Sequence, residues 1–142
     1  MKKVYTAVLV MIMLLTSTGY VSADGPVGSD CTDPPNLVPF ADLRNCDLSG
    51  RNMEGVDLSN ADLSGANLDN ASLFTSNLVG TTFDNASLRN TNLDDGYAPG
   101  SSFINADLRG ANLYFAFFRD ANLSGANFSS ARLTNFDVVG ST

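Results

Sequence analysis

An apolar side chain recurs at every fifth position through twenty consecutive units, without insertion or deletion, and all of these side chains except Ala98 are large. A helix repeats its apolar face about every 3.6 residues and a strand every second residue, so neither produces this period. The chain must therefore fold as a stack of repeated short units. The column reads Leu43, Leu48, Met53, Leu58, Leu63, Leu68, Leu73, Leu78, Phe83, Leu88, Leu93, Ala98, Phe103, Leu108, Leu113, Phe118, Leu123, Phe128, Leu133 and Val138.

Each five-residue unit has an internal pattern of its own. Two residues before each large side chain stands a second column, which is Ala in eleven of twenty units, and the position between is Asp or Asn in thirteen. Residues two apart on an extended segment point the same way, so both columns point inward and the polar residue points outward. The fifth position is Gly or Asn in fifteen of twenty units, and these residues tolerate turn conformations. Each unit is predicted to form one short side ending in a corner.

Units such as Ala61-Asp62-Leu63-Ser64-Gly65 and Ala121-Asn122-Leu123-Ser124-Gly125 resemble the A(D/N)LXX motif of the pentapeptide-repeat family, and the resemblance covers residues 41–140. It implies an all-β solenoid, a right-handed quadrilateral β-helix with four units per coil and therefore about five coils. At the spacing of neighbouring strands, this stack is roughly 20–25 Å tall. Similar residues twenty apart agree with four sides: Phe83 with Phe103, Arg89 with Arg109, and Tyr97 with Phe117.

Residues 1–23 have the layout of a secretory signal peptide. Lys2 and Lys3 precede an apolar run over residues 4–15, and small residues end at Ala23. A retained membrane anchor is the alternative, but the run is shorter than the roughly 20 residues that span a bilayer. We expect cleavage after Ala23, a secreted or periplasmic mature protein, and no membrane attachment after cleavage.

The mature chain is strongly acidic. Residues 1–23 contain both lysines and no acid, so their removal leaves six arginines against fifteen acids, a formal charge of −9, with no Lys or His. Such a surface argues against nucleic-acid binding, which needs cationic contacts to phosphates. The acidity either keeps a stacked β protein soluble or forms a ligand for a basic partner surface.

The sequence offers little for catalysis. Nucleophilic triads and common metal sites rely on His, which is absent, and no Gly-rich phosphate loop or calcium-loop spacing occurs. The adjacent pair Asp94 and Asp95 falls at a predicted corner, where Asp is common. We expect no enzyme, no cofactor and no metal.

Residues 24–40 form a Pro-rich N-terminal cap segment, because four prolines there oppose both helix and central strand. This segment holds Cys31, and Cys46 lies in the second repeat unit. Export favours a disulfide between them, and closing a loop of about 15 residues stabilises a fold by about 2–4 kcal/mol. A redox pair is the alternative, which the lack of Cys-x-x-Cys and of His opposes.

The terminal units of a solenoid are expected to be atypical, because each has only one neighbour. Arg51 and Phe136 occupy positions for small inward residues, and Met53 replaces Leu in the first coil. Only Ser141 and Thr142 follow the last unit, which leaves Phe136, Val138 and Val139 at the lower edge. We expect an end-to-end homodimer through this edge.

Aromatic residues interrupt the polar exterior in one region. With units assigned to four sides in rotation, five outward positions are predicted to form one exposed aromatic patch: Phe74, Tyr97, Tyr114, Phe115 and Phe117. Clustered exposed apolar groups mark contact sites, and aromatic residues are enriched at interfaces. The alternative is that stacked rings only stabilise neighbouring coils.

Two classes of function therefore compete. The first is a non-enzymatic exported structural and protein-interaction module, which presents a rigid acidic surface and the aromatic patch to an unidentified protein partner. The second follows relatives whose acidic helix resembles duplex DNA and binds DNA gyrase. The signal peptide and the short stack oppose this second class.

Overall fold

The computed structural model describes residues 37–142 of the chain. The predicted signal peptide and Cys31 lie outside the described residues, as does most of the Pro-rich segment. Over the described range the repeat is uniform: in each unit the second residue forms a β-bridge, and the fourth and fifth residues form a turn. The first unit illustrates this, with a bridge at Asp42 and a turn at residues 44–45.

The bridges are parallel, and each joins a residue to the one twenty positions later. Asp42, Asp62, Thr82, Ser102 and Asn122 are stacked in this way along one side. A register of twenty residues equals four five-residue units, so each coil has four sides. Every side carries one isolated bridge rather than a longer strand, because a corner follows only two residues after the bridge. The chain is thus a β-solenoid in which each side contains a single bridge and a two-residue turn separates it from the next side.

Every corner has the same left-handed backbone conformation at its last residue. Positive φ values occur at each fifth position from Phe40 (63°) to Gly140 (81°), whatever the residue type. The amide two residues before each large side chain closes the turn, as where Ala66 N donates to Leu63 O at 3.0 Å. A β-turn with a left-handed third residue is type II-like and favours Gly or Asn, which explains the Gly/Asn column in the sequence.

The core is one continuous cluster of large side chains from all four sides, lined by small ones. Leu58, Leu63 and Leu93 are fully buried, together with the neighbouring alanines. Three fully buried phenylalanines stack along the axis. The ring centroids of Phe83 and Phe103 are 4.7 Å apart, and those of Phe103 and Phe118 are 4.8 Å apart. These offset ring contacts stabilise the coils beyond the burial of their apolar area.

Four small inward positions carry buried hydroxyl groups in place of Ala, and each group is satisfied. Thr81 Oγ1 donates to Leu58 O at 2.7 Å and Thr91 Oγ1 donates to Leu68 O at 2.8 Å, each reaching into the preceding coil. Ser76 and Ser101 donate to carbonyl oxygens three residues earlier. Buried polar groups cost little when they are paired in this way.

The coil geometry begins before the predicted boundary at residue 41. Ala41 N donates to Val38 O, and Phe40 N donates to Ser59 O at 2.9 Å, so residues 38–40 already form a corner of the stack. Leu37 packs against the core. Over residues 37–142 no helix is long and apolar enough to cross a bilayer.

A candidate interaction face

The Asp and Asn residues at the bridge positions have a structural role beyond outward polarity. Their Oδ1 atoms accept a hydrogen bond from the amide two residues later, as where Ser64 N donates to Asp62 Oδ1 at 2.9 Å and Ser129 N donates to Asn127 Oδ1 at 3.0 Å. This Asx-type contact holds each side against the corner that follows. The preference for Asp and Asn at the bridge positions was visible in the sequence. Outward polarity was enough to explain it, so the hydrogen bond to the corner amide was not predicted.

Tyr97 and Phe117 break this rule on one side of the stack. They occupy bridge positions in a column whose other described members are Asp57, Asn77 and Asp137. An aromatic ring cannot accept the corner amide as a carboxylate or carboxamide does. In the unit of Tyr97, the residue that would donate is Pro99, which has no N–H, so no donor is left unsatisfied there.

The two aromatic side chains form a stacked pair on the surface. The ring centroids of Tyr97 and Phe117 are 5.2 Å apart, with an angle of 20° between the planes. Tyr97 is 48% exposed. The guanidinium carbon of Arg119 lies 4.8 Å from the centroid of the Phe117 ring, and Arg119 Nε donates to Asp137 Oδ2 at 2.8 Å. The stacked pair is therefore held in place at its lower end.

Tyr114 and Phe115 form a second pair at the corner before Phe117. Their centroids are 4.4 Å apart in an edge-to-face arrangement, and Arg132 Cζ lies 4.6 Å from the Tyr114 ring centroid. Phe115 is 49% exposed and has a φ of 55°. A bulky residue with positive φ is uncommon, because its Cβ crowds the backbone.

Phe74 lies apart from these pairs. It makes no ring contact with the other four aromatic residues within the described part of the chain. Asp94 stands between Phe74 and Tyr114 in the same column, as shown by Thr75 N donating to Asp94 O and Asp95 N donating to Tyr114 O. The structure thus places the five predicted patch residues as two pairs and one separate ring on two adjacent sides.

Residues at the two ends of the stack differ in exposure. Met53 is buried and Arg51 is half-buried in the upper part. At the lower end Phe136 turns inward, with its centroid 5.1 Å from that of Phe118 and 6.0 Å from that of Phe128. The apolar side chains exposed at this end are Leu133, Val138 and Val139.

Cys46 occupies a small inward position and is 3% exposed. Its predicted partner, Cys31, lies outside the described residues, so the pairing stays a prediction.

Arginine side chains pair with carboxylates along the outer surface. Arg89 and Arg109 stand in adjacent coils and bind Asp69 and Asp107 through Nε and Nη2. The Arg109 hydrogen bond lowers the pKa of the Asp107 carboxyl below its usual value. The two arginines line a shallow cleft of about 330 Å³ with Gly110, Ser129 and others. Because each guanidinium is already neutralised by an aspartate, this cleft is a weak site for anions.

The described residues contain no group of three or more His, Cys, Asp or Glu side chains arranged to hold a metal ion. The chemistry that the surface does offer is aromatic, guanidinium and carboxylate contacts, which are the groups of an interaction surface.

The chain matches the protein family described as Pentapeptide repeats, with eight copies of the repeat over residues 41–78 and 101–138. No curated protein matches the chain. Among solved structures, a pentapeptide repeat protein from the Arabidopsis thaliana thylakoid lumen is 24% identical with a TM-score of 0.40, covering 70% of this chain and 66% of that one. HetL, involved in heterocyst differentiation regulation in the cyanobacterium Nostoc, is 26% identical with a TM-score of 0.33, covering 72% and 63%.

A third solved structure is QnrB1, a plasmid-mediated fluoroquinolone resistance protein, which is 16% identical with a TM-score of 0.37, covering 66% of this chain and 62% of QnrB1. The chain thus spans about two thirds of the length of these proteins. The family match covers more than half of the chain and coincides with residues that form the coils. The chain belongs to the pentapeptide-repeat family.

Proposed function

We propose that this chain is an exported, non-enzymatic interaction module. Its scaffold is a right-handed quadrilateral β-helix of about five coils, and its rigid acidic surface presents the aromatic residues to a protein partner. The observation that carries this proposal is that Phe115 and Phe117 depart from local rules of the fold, and that their ring contacts do no more than offset the cost. Residues that break such rules without helping the fold are expected at functional sites.

The costs occur at neighbouring positions. Phe115 holds a left-handed conformation, which costs a non-glycine residue about 1–2 kcal/mol. Phe117 gives up the Asx-type hydrogen bond that the bridge position normally supplies, a loss of about 1 kcal/mol. The ring contacts with Tyr114 and Tyr97 recover about 0.5–1.5 kcal/mol each. Packing alone therefore gives little reason for aromatic residues here, and contact with a partner supplies one.

The partner is expected in the compartment to which the chain is exported. Residues 1–23 have the charge and apolar pattern of a signal peptide, and Cys46 holds a buried position that a disulfide to Cys31 can use to fix the N-terminal segment. Mass spectrometry of the exported protein should find an N-terminus at Asp24 and a mass that alkylation increases only after reduction. Retention of residues 1–23, or two thiols that react before reduction, would contradict this part of the proposal.

The aromatic contribution is tested by replacing Phe115 and Phe117 together with Ser. Affinity capture from the secreted or periplasmic fraction should lose the bound partner with this variant and keep it with Ile104→Ser. Ile104 is a matched control, because it is a half-buried apolar residue on the outer surface of another side. Circular dichroism must show that both variants are folded. If the double variant still captures the partner as well as the native protein does, the proposal is wrong.

The lower end of the stack provides a second surface. Leu133, Val138 and Val139 are exposed there beside the inward-turned Phe136. We propose that two copies associate end to end through these apolar groups, since burying them removes apolar area from water. Val139→Asp, at the most exposed of these positions, should convert the dimer to a monomer in light scattering. A native protein that is monomeric at micromolar concentration would refute this association.

Acidity leaves one alternative to be tested. The coils carry twelve acidic residues against six arginines over positions 37–142, and this excess favours the hypothesis of a DNA mimic that binds DNA gyrase. A supercoiling assay with the mature chain addresses it directly. Inhibition of gyrase together with retention in the cytoplasm would replace the exported-module proposal with this one.

A further inference from the structure

One outward column of the stack alternates acidic and aromatic residues from coil to coil. Over four coils it reads Glu54, Phe74, Asp94 and Tyr114, each at the first turn position of its unit, and Thr134 ends the column. Backbone hydrogen bonds fix this register, because Gly55 N donates to Phe74 O and Asp95 N donates to Tyr114 O. A carboxylate therefore has an aromatic neighbour one coil away along the column.

The carboxylate of Asp94 receives a single, long hydrogen bond within the described residues. Its Oδ1 atom is the buried side-chain oxygen without a partner in the described part of the chain. Its Oδ2 atom receives only a long contact of 3.4 Å from Asn112 Nδ2. A buried oxygen without a partner is costly, and a cation that binds the same carboxylate offsets part of that cost. Asp94 as a whole is only half-buried, so the column can be approached from solvent.

The chain's own cations do not fill this position. Arg132 lies over the next ring, with its Cζ 4.6 Å from the Tyr114 centroid, and has no ion pair with Asp94 in residues 37–142. Arg44, Arg89, Arg109 and Arg119 are bound to aspartates elsewhere, and Arg51 forms no ion pair with Asp94 within the described residues. Residues 24–36 contain no Lys or Arg. The stacking of Arg132 on Tyr114 shows the kind of group that suits a ring in this column.

We propose that this column binds arginine side chains of the partner protein, with Asp94 accepting the guanidinium and the rings of Phe74 and Tyr114 flanking it. The inference rests on the proposed function and adds the chemistry of the partner. Arginine suits the site better than lysine, because a planar guanidinium stacks on aromatic faces and also donates charge-assisted hydrogen bonds to a carboxylate. The excess of acidic groups on the coils attracts such a partner over a longer range.

The spacing of the two acids further defines the partner segment. Glu54 and Asp94 are two coils apart, or about 9–10 Å at the spacing of parallel strands. A polyproline II segment has three residues per turn and rises about 3.1 Å per residue, so side chains three apart lie on one face about 9 Å from each other. An Arg-x-x-Arg segment in this conformation matches the column.

The test is an amide-resolved NMR titration of the mature chain with acetyl-Arg-Pro-Pro-Arg-amide. We expect shifts at Phe74, Asp94 and Tyr114, and an affinity at least about tenfold weaker for Asp94→Asn, which removes a charge-assisted hydrogen bond. Asp84→Asn is the matched control, because Asp84 has the same turn position on another side and its Oδ1 is satisfied by Ser102 and by Ile104 N. This control should bind normally.

Two further probes test the details. Acetyl-arginine-amide should bind more weakly and be unaffected by Glu54→Gln, whereas the Arg-Pro-Pro-Arg peptide should lose affinity with that variant. A peptide with citrulline in place of arginine should not bind. Equal binding of the citrulline peptide, or equal loss with Asp84→Asn and Asp94→Asn, would overturn the inference. The spectrum of free Asp94→Asn verifies its fold.

The outcomes separate this inference from the proposed function. If no arginine peptide binds but Phe115→Ser/Phe117→Ser still loses the captured partner, the arginine site is wrong and the interaction module stands. If the peptide binds at Asp94 while capture is unaffected by the double substitution, the column is a site of its own and the aromatic patch proposal is wrong. Concentration-dependent shifts at Asp94 without peptide would instead assign the column to a second copy of this chain, against the inference.

Discussion

At the scale of single residues, the corners impose a pairing rule between successive coils. A Cβ atom added to Gly65 would lie 2.4 Å from Asn45 Oδ1, because the Asn side chain of the previous coil covers the glycine. The same arrangement recurs where Asn105 covers Gly125. Gly100 also has positive φ, but nothing lies within 4 Å of its added Cβ. At each of these corners glycine permits the positive φ. Only at some of them does it also leave room for a side chain of the previous coil.

This difference predicts unequal effects of alanine at two glycines. Gly100→Ala should destabilise the fold by about 1 kcal/mol, the cost of a left-handed alanine. Gly65→Ala should cost about 1 kcal/mol more, since Asn45 must also move. Urea unfolding of both variants measures the difference. Equal midpoints would show that the Asn45 side chain moves without cost. If Asn45 is the cause, Asn45→Ala in the Gly65→Ala background should abolish the extra loss.

The aromatic corner makes a residue-scale prediction of the opposite sign. Phe115→Asn places a residue that tolerates positive φ at a strained position, so the gain should offset the lost ring contact with Tyr114. We expect an unchanged or higher Tm together with weaker capture of the partner, as a trade-off between stability and function requires. Thr75→Asn, at the equivalent corner two coils earlier, should raise the Tm without affecting capture. A clear fall in Tm for Phe115→Asn would show that the ring stabilises its corner.

At the scale of the element, buried hydroxyl groups tie one coil to the next. Thr91 Oγ1 reaches Leu68 O in the preceding coil, and this carbonyl also accepts the amide of Ala71 at 3.0 Å. Removing the hydroxyl leaves no carbonyl unsatisfied. Its contribution is therefore that of one ordinary hydrogen bond.

Thr91→Val keeps the shape of the side chain and removes only this bond. We expect a loss of about 0.5–1.5 kcal/mol in the free energy of unfolding, measured by urea denaturation. Thr82→Val is the matched control, since Thr82 lies at an outward bridge position. A loss as large for Thr82→Val would show that replacing a hydroxyl group by a methyl group is destabilising in itself, and that the buried hydrogen bond is not the cause.

The sequence predicts the inside and outside of each unit well, because a period of five places every residue relative to its corner. The stacking of Phe83 on Phe103 and of Tyr97 on Phe117 follows from their separation of twenty residues. Directions of side chains at the surface do not follow from it. The repeat does place Asp94 between Phe74 and Tyr114 in one column, but the unpartnered oxygen of Asp94 depends on local contacts rather than on the repeat. The Asx-type contacts were also hidden, because outward polarity alone accounts for Asp and Asn.

At the scale of the whole molecule, the outer surface is held by carboxylates that stay ionised. A side-chain hydrogen bond from Arg44 lowers the pKa of Asp42, and one from Arg109 lowers the pKa of Asp107. Hydrogen bonds that Ser49 donates lower the pKa of Asp47. A folded-state pKa below the unfolded value stabilises the fold above the unfolded pKa. This contribution is lost as the pH falls through the folded pKa.

The stack is therefore expected to be most stable near neutral pH and to weaken below about pH 4, where free Asp becomes protonated. Urea midpoints at several pH values test this sign. Arg109→Gln should lower the midpoint at pH 7 and flatten the acid branch, because Asp107 then loses the partner that lowers its pKa. The effect should shrink in high salt, since Arg109 is half exposed. Parallel curves for the two proteins would contradict this role of the pair.

The constant register of twenty residues makes position along the chain equivalent to position on a face. An insertion of one residue would move every later residue to the next position of its unit, so that the polar bridge residue would point inward and the large side chain would fall in the turn. An insertion of one complete unit would keep the core buried but move all later units to the next side. Such an insertion between Tyr97 and Phe117 would place the two rings on different faces of an otherwise intact stack. An insertion of five residues would therefore change which side chains share a face while keeping the core buried, and an insertion of twenty residues would keep both the core and the faces.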